Sequence, residues 1–417
     1  MNRRTLLRTG GAAVLGVGLG GCRSTTRVPQ AAAPAPPRPR VNLAVPRISA
    51  ERVIRTTVGL RPHRDGGFVL RADRLNDKTL IHNYGHGGAG MSLAWGCGTL
   101  VADLAQPAGT RRAAVVGCGS PGLCTARQLQ RRGYDVTIYA ATVPPDTTSN
   151  MSWAGYTPTT ALILPERRTP AWDAQFRTAA EVSYRQLQVM VGPRYGVYWI
   201  DSYNATDDLN ARPGGGGDGD LVPEHLRPGR DRDVLNPGEH PFPTRYAVRA
   251  SNLAIEPNTY LDALVEDFLT FGGRIVIRRF DSPRDLAALP EPVVVNCTGL
   301  GSFSLFDDQE LVPIKGQLTH VVPQRDVNYR ASSRLSDGSN AGINPRSDGL
   351  VVGNSQEVGV WSLEPNPEIL TRNLANAATF FAGMRTPDGR TQLTRSEPPA
   401  IVPPIEGFFD WQTAPAR

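Results

Sequence analysis

The 417-residue sequence predicts an α/β protein, with a Rossmann-like dinucleotide-binding domain interleaved with a second domain of α+β type. Three observations lead there. Gly117-x-Gly119-x-x-Gly122 lies between two apolar runs, Ala113–Val116 and Asp135–Tyr139, with helical apolar spacing from Leu123 to Gly133. A second glycine-rich stretch, Ile81-His82-Asn83-Tyr84-Gly85-His86-Gly87-Gly88-Ala89-Gly90, precedes it. A content of 40% hydrophobic and 20% charged residues suits a chain that buries a large core, and the length suits two domains.

Residues 1–22 read as an export signal and are set aside from the fold. Asn2-Arg3-Arg4-Thr5-Leu6-Leu7-Arg8 is a twin-arginine pattern, Gly10–Gly21 is weakly apolar, and Leu19-Gly20-Gly21-Cys22 resembles a lipoprotein cleavage box. The apolar part is shorter than the ~20 residues a membrane-spanning helix needs. The expectation is a lipoprotein exported in folded form and lipidated on Cys22. It would sit outside the cytoplasm, in the periplasm or at the cell surface, on a Pro/Ala-rich tether over residues 23–47. The formal charge of +6 is halved when Arg3, Arg4 and Arg8 leave, so nucleic acid is not indicated as a partner. Of five cysteines, Cys22 is taken by the lipid and the rest lie in or beside glycine-rich motifs and strands, so no disulfide framework follows. No metal-ligand spacing is present.

The folded part begins near Ile48. Gly59-Leu60-Arg61-Pro62 precedes an alternating strand at Phe68–Ala72, and the first glycine-rich stretch then leads into a helix that ends at Leu100–Leu104. In that stretch the glycines let the backbone lie against a flat ligand, while His82, Asn83 and His86 anchor the loop. After a short turn, Gln106–Arg112, comes the βαβ unit. Gly117 makes its tight turn, Gly119 admits a pyrophosphate, and Gly122 lets helix and strand pack closely, with the helix N-terminus facing the phosphates. The second strand ends in Ala140-Ala141 where an acidic residue usually holds a ribose hydroxyl, so that contact must come from elsewhere.

Farther on, Ala171–Val191 has helical spacing and Val197–Ile200 reads as a strand, while residues 212–241, rich in Gly, Pro and Asp, form a long loop, either a lid or disordered. Ala247–Ile255, a helix at Pro257–Gly272 and a strand at Arg274–Ile277 lead to Val293-Val294-Val295-Asn296-Cys297-Thr298-Gly299, a buried parallel strand whose polar end falls at the ligand edge of an open sheet. A strand at Val312–Leu318, the segment Gly342–Gly353 and a helix at Asn373–Met384 follow, then a Pro-rich tail over 385–417.

Ile81–Gly90, with its continuation Met91-Ser92-Leu93-Ala94-Trp95-Gly96-Cys97-Gly98, resembles the C-terminal flavin motif of the D-amino-acid oxidase family, I-H-N-Y-G-H-G-G-x-G and then W-G-C. Gly59–Pro62 resembles the family's G-x-R-P, Val294–Gly299 its V-V-N-C-T-G, and Pro313-Ile314-Lys315-Gly316-Gln317 its P-x-[RK]-G-Q. Thr147-Thr148-Ser149 and Ala154-Gly155 resemble its hydroxyl-rich turn and small pair beside the flavin ring. Gly342-Ile343-Asn344-Pro345 departs from the pattern, since family members place a Tyr before I-x-P to help hold the substrate carboxylate. The resemblance covers roughly residues 48–384 with the family's final quarter moved to the front. It implies a circularly permuted D-amino-acid oxidase fold, cut between the helix ending near Met384 and the strand starting near Val53.

The resemblance implies FAD as cofactor, held by parts at about 48–165 and 285–318, with substrate parts at about 166–284 and 319–384. Cofactor contacts fall on Gly85, Gly87, Gly88, Gly90, Met91, Gly117, Gly119, Gly122, Thr147, Thr148, Ser149, Ala154, Gly155, Thr298 and Gly299. Arg61 forks onto the carboxylate of a small-molecule amino acid or amine, whose neutral amine faces the backbone at Gly88, and oxygen is the acceptor. Lys315 stands either near the reduced flavin or exposed at a strand end. The implied activity is oxidative deamination of a D-amino acid. An amine dehydrogenase using another acceptor and a non-catalytic flavin-binding lipoprotein are the alternatives.

Overall fold

A computed structural model describes residues 40–210, 221–227 and 231–385. The export signal, the tether up to residue 39, the tail from residue 386, and residues 211–220 and 228–230 of the long loop lie outside the described residues.

The dinucleotide-binding layer is a six-stranded sheet. Its strands, from one edge to the other, are β2 (Val69–Leu75), β3 (Lys78–Tyr84), β10 (Val293–Asn296), β4 (Arg112–Val116), β5 (Asp135–Ala140) and β9 (Arg274–Ile277). All pairs are parallel except β2 with β3. The central strands β4 and β10 carry unbroken apolar runs rather than alternation, as a sheet covered on both faces requires. One face is covered by α1 (Gly90–Ala105), α2 (Ser120–Arg131) and α4 (Pro257–Thr270), which bury Trp95, Leu123, Leu129, Leu264 and Phe268 in one core. The short helices α5 (Pro283–Ala287) and α6 (Gly301–Leu305) cover the other with Leu286 and Leu305. Against α1 lies α3 (Pro170–Val189), started by Thr169, whose side chain accepts from the Trp172 N–H. The two helices approach closely because residue 96 is glycine; a Cβ there would stand 2.1 Å from the Ala179 carbonyl oxygen.

The second sheet runs β1 (Val53–Arg64), β11 (Leu311–Val321), β14 (Gly349–Val352), β13 (Asn340–Arg346), β12 (Arg330–Arg334), β6 (Val197–Thr206), β8 (Tyr246–Ile255) and β7 (Asp233–Leu235), with β15 (Glu357–Val358) also on β11. Its pairs are antiparallel except β12 with β6. One face packs on α7 (Pro367–Ala382), which places Leu374, Ala377 and Phe381 over Val321, Ile343 and Val352. Asn366 caps α7 by accepting from the N–H groups of Glu368 and Ile369.

Four expectations are corrected. β1, assigned above to the FAD-binding part, pairs along its length with β11 in the second sheet, which also claims most of the 285–318 part's last strand. α4 and β9, assigned to the substrate part, belong to the dinucleotide layer, because β9 extends the parallel sheet beyond β5. Residues 40–47, read as the end of the tether, pack on the domain. Val41, Leu43 and Val45 lie against the second core, and the Tyr329 hydroxyl donates to the Ala44 carbonyl at 2.7 Å. In the long loop, Leu221, Val222 and Leu226 are buried and β7 pairs with β8, so the described parts are neither a lid nor disorder.

Candidate active site

A cavity of about 1370 Å³ is walled by the carboxyl ends of the parallel strands, the start of α1 and the open face of the second sheet. This is the edge at which an open α/β sheet binds ligands.

At the dinucleotide end, Gly117 has φ +117°, and a Cβ there would lie 2.4 Å from the Cys297 carbonyl oxygen; one on Gly122 would lie 2.0 Å from that of Gly117. The turn therefore closes only with glycine. Gly119 faces Ser149, whose Oγ accepts from the Ser120 N–H at 3.0 Å. Among the described residues the N–H group of Gly119 donates to nothing, which leaves a donor in the cavity wall at the positive end of α2 for an anion. Thr147, Thr148, Thr298 and Gly299 line the same end. The Thr147 and Thr298 hydroxyls, expected as cofactor contacts, donate to Asn150 Oδ1 at 2.7 Å and Asn296 Oδ1 at 2.8 Å. They brace the loop.

The missing acid at the end of β5 is answered by another element. Arg278 and Arg279, just past β9, line the cavity beside Ala140, Ala141 and Thr142, and the Arg278 N–H donates to the Ala140 carbonyl at 2.9 Å.

At the start of α1, Gly87 has φ +53°, and a Cβ there would stand 1.8 Å from the Ala161 carbonyl oxygen. The Gly88 N–H donates to Thr160 O at 2.9 Å, while the Gly88 carbonyl accepts nothing among the described residues. The N–H groups of Gly90 and Met91 likewise have no partner there, and both residues line the cavity. Ala154 and Gly155 form the facing corner, at φ +53° and +154°. Arg330 fixes that corner by donating to the Ala154 carbonyl at 2.7 Å; burial without an acidic partner pulls its pKa down to about 10. Gly85 and Gly122 are not in the cavity wall, contrary to expectation. Gly85 turns at φ +82° against Arg64, and Gly122 packs on the turn before it. The expected anchors divide similarly. His82 meets Asn296 and the Asn83 amide donates to Thr125, whereas His86 stacks on Phe68 and leaves Nε2 unpartnered in the buried cavity wall, with its pKa pushed down to about 4.

At the other end, the register Arg61↔Ile314 and Gly59↔Gly316 sets Arg61 on the cavity face of β1. Its guanidinium folds over Gly316 and donates to Asn354 Oδ1 at 2.9 Å and Ser355 O at 3.3 Å. No carboxylate among the described residues answers its charge, and burial lowers its pKa. A partly buried cation held only by neutral acceptors suits an anionic ligand. Lys315 is a correction: it is buried in mid-strand rather than exposed, and pairs with Glu357 at 3.8 Å on the opposite face of β11 from Arg61. Gly342 lines the cavity, and a Cβ there would meet nothing closer than 3.7 Å. Asn354, Ser355 and Arg330 carried no periodic or motif signal and were missed. Nothing local distinguishes them before β14 and β12 bring them in.

A model of the DAO family, FAD dependent oxidoreductase, matches residues 4–104 and 112–404. The chain belongs to this family. FAD is thus its cofactor, and the free donors at the starts of α1 and α2 fit that group. A D-amino-acid oxidase of Rubrobacter xylanophilus is 30% identical over 298 residues, 69% of this chain and 83% of that protein. A D-amino-acid oxidase of Streptomyces coelicolor is 30% identical over 250 residues, 54% of this chain and 76% of that one. A glycine oxidase structure from Geobacillus kaustophilus is 16% identical, with a TM-score of 0.46, covering 67% of this chain and 85% of its own.

Proposed function

We propose that this FAD-dependent oxidoreductase is an oxidase of D-amino acids, turning a D-amino acid, oxygen and water into the 2-oxo acid, ammonia and hydrogen peroxide. Arg61 carries the reading, as a partly buried guanidinium on the cavity wall with no acidic partner among the described residues. FAD, when bound, supplies the two-electron acceptor for the hydrogen on the substrate's α-carbon. The free N–H group of Gly119 at the start of α2 would help to hold its phosphates, and those of Gly90 and Met91 its electron-rich edge. Arg61 would fork onto the substrate carboxylate. The unoccupied Gly88 carbonyl would accept from the amine, so that two fixed contacts orient the α-carbon and no side-chain base is needed. The names of the Rubrobacter and Streptomyces relatives support the substrate class.

Gly342 favours a second reading, an amine dehydrogenase with another acceptor, because the wall is open where the resemblance calls for a tyrosine. Slow peroxide formation with fast dye reduction would identify that dehydrogenase, and anaerobic addition of a D-amino-acid panel to the holoprotein tests the substrate. Bleaching of the flavin band by some members, lost in Arg61→Ala, is expected; a band that no D-amino acid bleaches removes the proposal.

The proposal extends to chain order and location. Circular permutation is supported by a family match in two blocks on either side of the α1–β4 turn, and by early strands β1 and β3 pairing with late strands β11 and β10. The twin-arginine and Cys22 motifs support a lipid-tethered protein outside the cytoplasm. Cys22→Ser should move it from the membrane to the soluble fraction; unchanged partitioning would sink the tether.

A further inference from the structure

The cavity has a polar extension beyond Gly353 that the proposed chemistry does not use. Gly353 ends the β14 segment at φ +71°, and a Cβ there would lie 2.5 Å from Nδ2 of Asn373 on α7. Asn373 is only 6% exposed and lines the cavity, and its Nδ2 has no hydrogen-bond partner among the described residues. A buried amide donor without a partner is rare enough in native proteins to call for a ligand. Its neighbour Arg372 also lines the cavity, exposed at the lip, where its charge helps to lower the pKa of the Asp337 carboxyl. Two acids, Asp337 and Glu357, also line the cavity, and Glu357 Oε1 has no hydrogen-bond partner among the described residues. Asp337 accepts from the Ser339 N–H at 2.9 Å and hydroxyl at 2.6 Å, and Glu357 pairs with Lys315. The extension thus offers a buried donor and an exposed cation that it shares with Asp337.

The extension is tied to Arg61 through three consecutive residues. Arg61 rests on Asn354 and Ser355, and Asn373 abuts Gly353. Three residues span at most ~10 Å. A substrate whose carboxylate lies on Arg61 can therefore bring a polar side-chain end to Asn373 within that span.

We infer that Asn373 and Arg372 form a side-chain subsite for an anionic group, so that the preferred substrate is an amino acid whose side chain ends in a carboxylate. The inference rests on the amino-acid reading of the same cavity.

The test compares acids with neutral partners of similar length on the full-chain holoprotein, D-2-aminoadipate against D-norleucine and non-oxidisable glutarate against valerate. Dissociation constants come from the flavin absorbance change, and the limiting bleaching rate is recorded separately. The acid of each pair should bind at least tenfold tighter. Asn373→Leu and Arg372→Gln should each erase most of that difference through the dissociation constant rather than the limiting rate, and Asn373→Gln should restore part of it. Arg372 is exposed, so its variant reads the subsite even where the Asn373 variant fails to fold. Equal binding of acid and neutral partner, a preference for D-lysine, or equal weakening of both partners in the variants overturns the subsite. Tighter glutarate binding with no bleaching by any D-amino acid keeps the subsite and removes only the oxidase reading.

Discussion

Replacing Gly316 by alanine should displace Arg61 without removing it. A Cβ on residue 316 would lie 2.6, 2.7 and 2.8 Å from Nη1, Nη2 and Cζ of Arg61, where ordinary contact begins at 3.4 Å. The guanidinium must therefore move by about 0.8 Å, and as the end of a flexible side chain it can do so without disturbing β11. That movement strains its 2.9 Å hydrogen bond to Asn354 and shifts the fork that meets a carboxylate. A misplacement on the order of 1 Å can cost ~100-fold. Carboxylate affinity should accordingly fall between tenfold and a hundredfold, about 1.4–2.7 kcal/mol. Titrating the holoprotein with a simple carboxylate while following the flavin band measures this, with flavin content and melting temperature as controls. Unchanged affinity in a fully flavinated Gly316→Ala protein would refute Arg61 as the carboxylate anchor.

Three further outcomes follow from the same geometry. Thr169→Ala removes the oxygen that accepts from Trp172 N–H and should cost about 1 kcal/mol, seen as a lower melting temperature with flavin affinity retained; no change would mean the cap is idle. Burial pushes His86 and His320 down from 6.5 to about 4. The unfolded chain then binds more protons than the folded one between those values, so stability should fall as pH drops from 6.5 towards 4, and His86→Gln should flatten the slope; a melting temperature flat across that window would contradict it. Cys97, Cys118, Cys124 and Cys297 are buried, with burial raising each thiol and taking Cys118 to about 12. A thiol reagent should leave these four untouched until denaturant is added, and rapid native labelling of Cys118 would show that the cavity wall opens.

The βαβ unit, the parallel β10 and the glycine turn at Gly117 were legible in the sequence because local steric demands, positive φ and close approach, leave few residue choices. The same holds for the start of α1 at Gly87 and for Arg61 in its G-x-R-P setting. Legibility failed where a contact joins distant segments. Arg278 reaches the end of β5 only because β9 joins the parallel sheet, and Asn373 meets Gly353 only because α7 packs across β13 and β14. Gly85, expected among the cofactor contacts, lies outside the cavity wall for a related reason: a glycine demanded by packing and one demanded by a ligand leave the same letter in the sequence.

The sequence by itself determined the family, the cofactor class and the main glycine-lined contacts, since each is written in a short contiguous run whose backbone geometry is fixed locally. The allocation of β1 and β9 between the two sheets, the charge-unanswered setting of Arg61 over Gly316, and the polar extension at Asn373 were decided only by the tertiary structure. Strand pairing and burial are sums over segments far apart in the chain, and no local pattern records which partner a strand or a buried polar group will find.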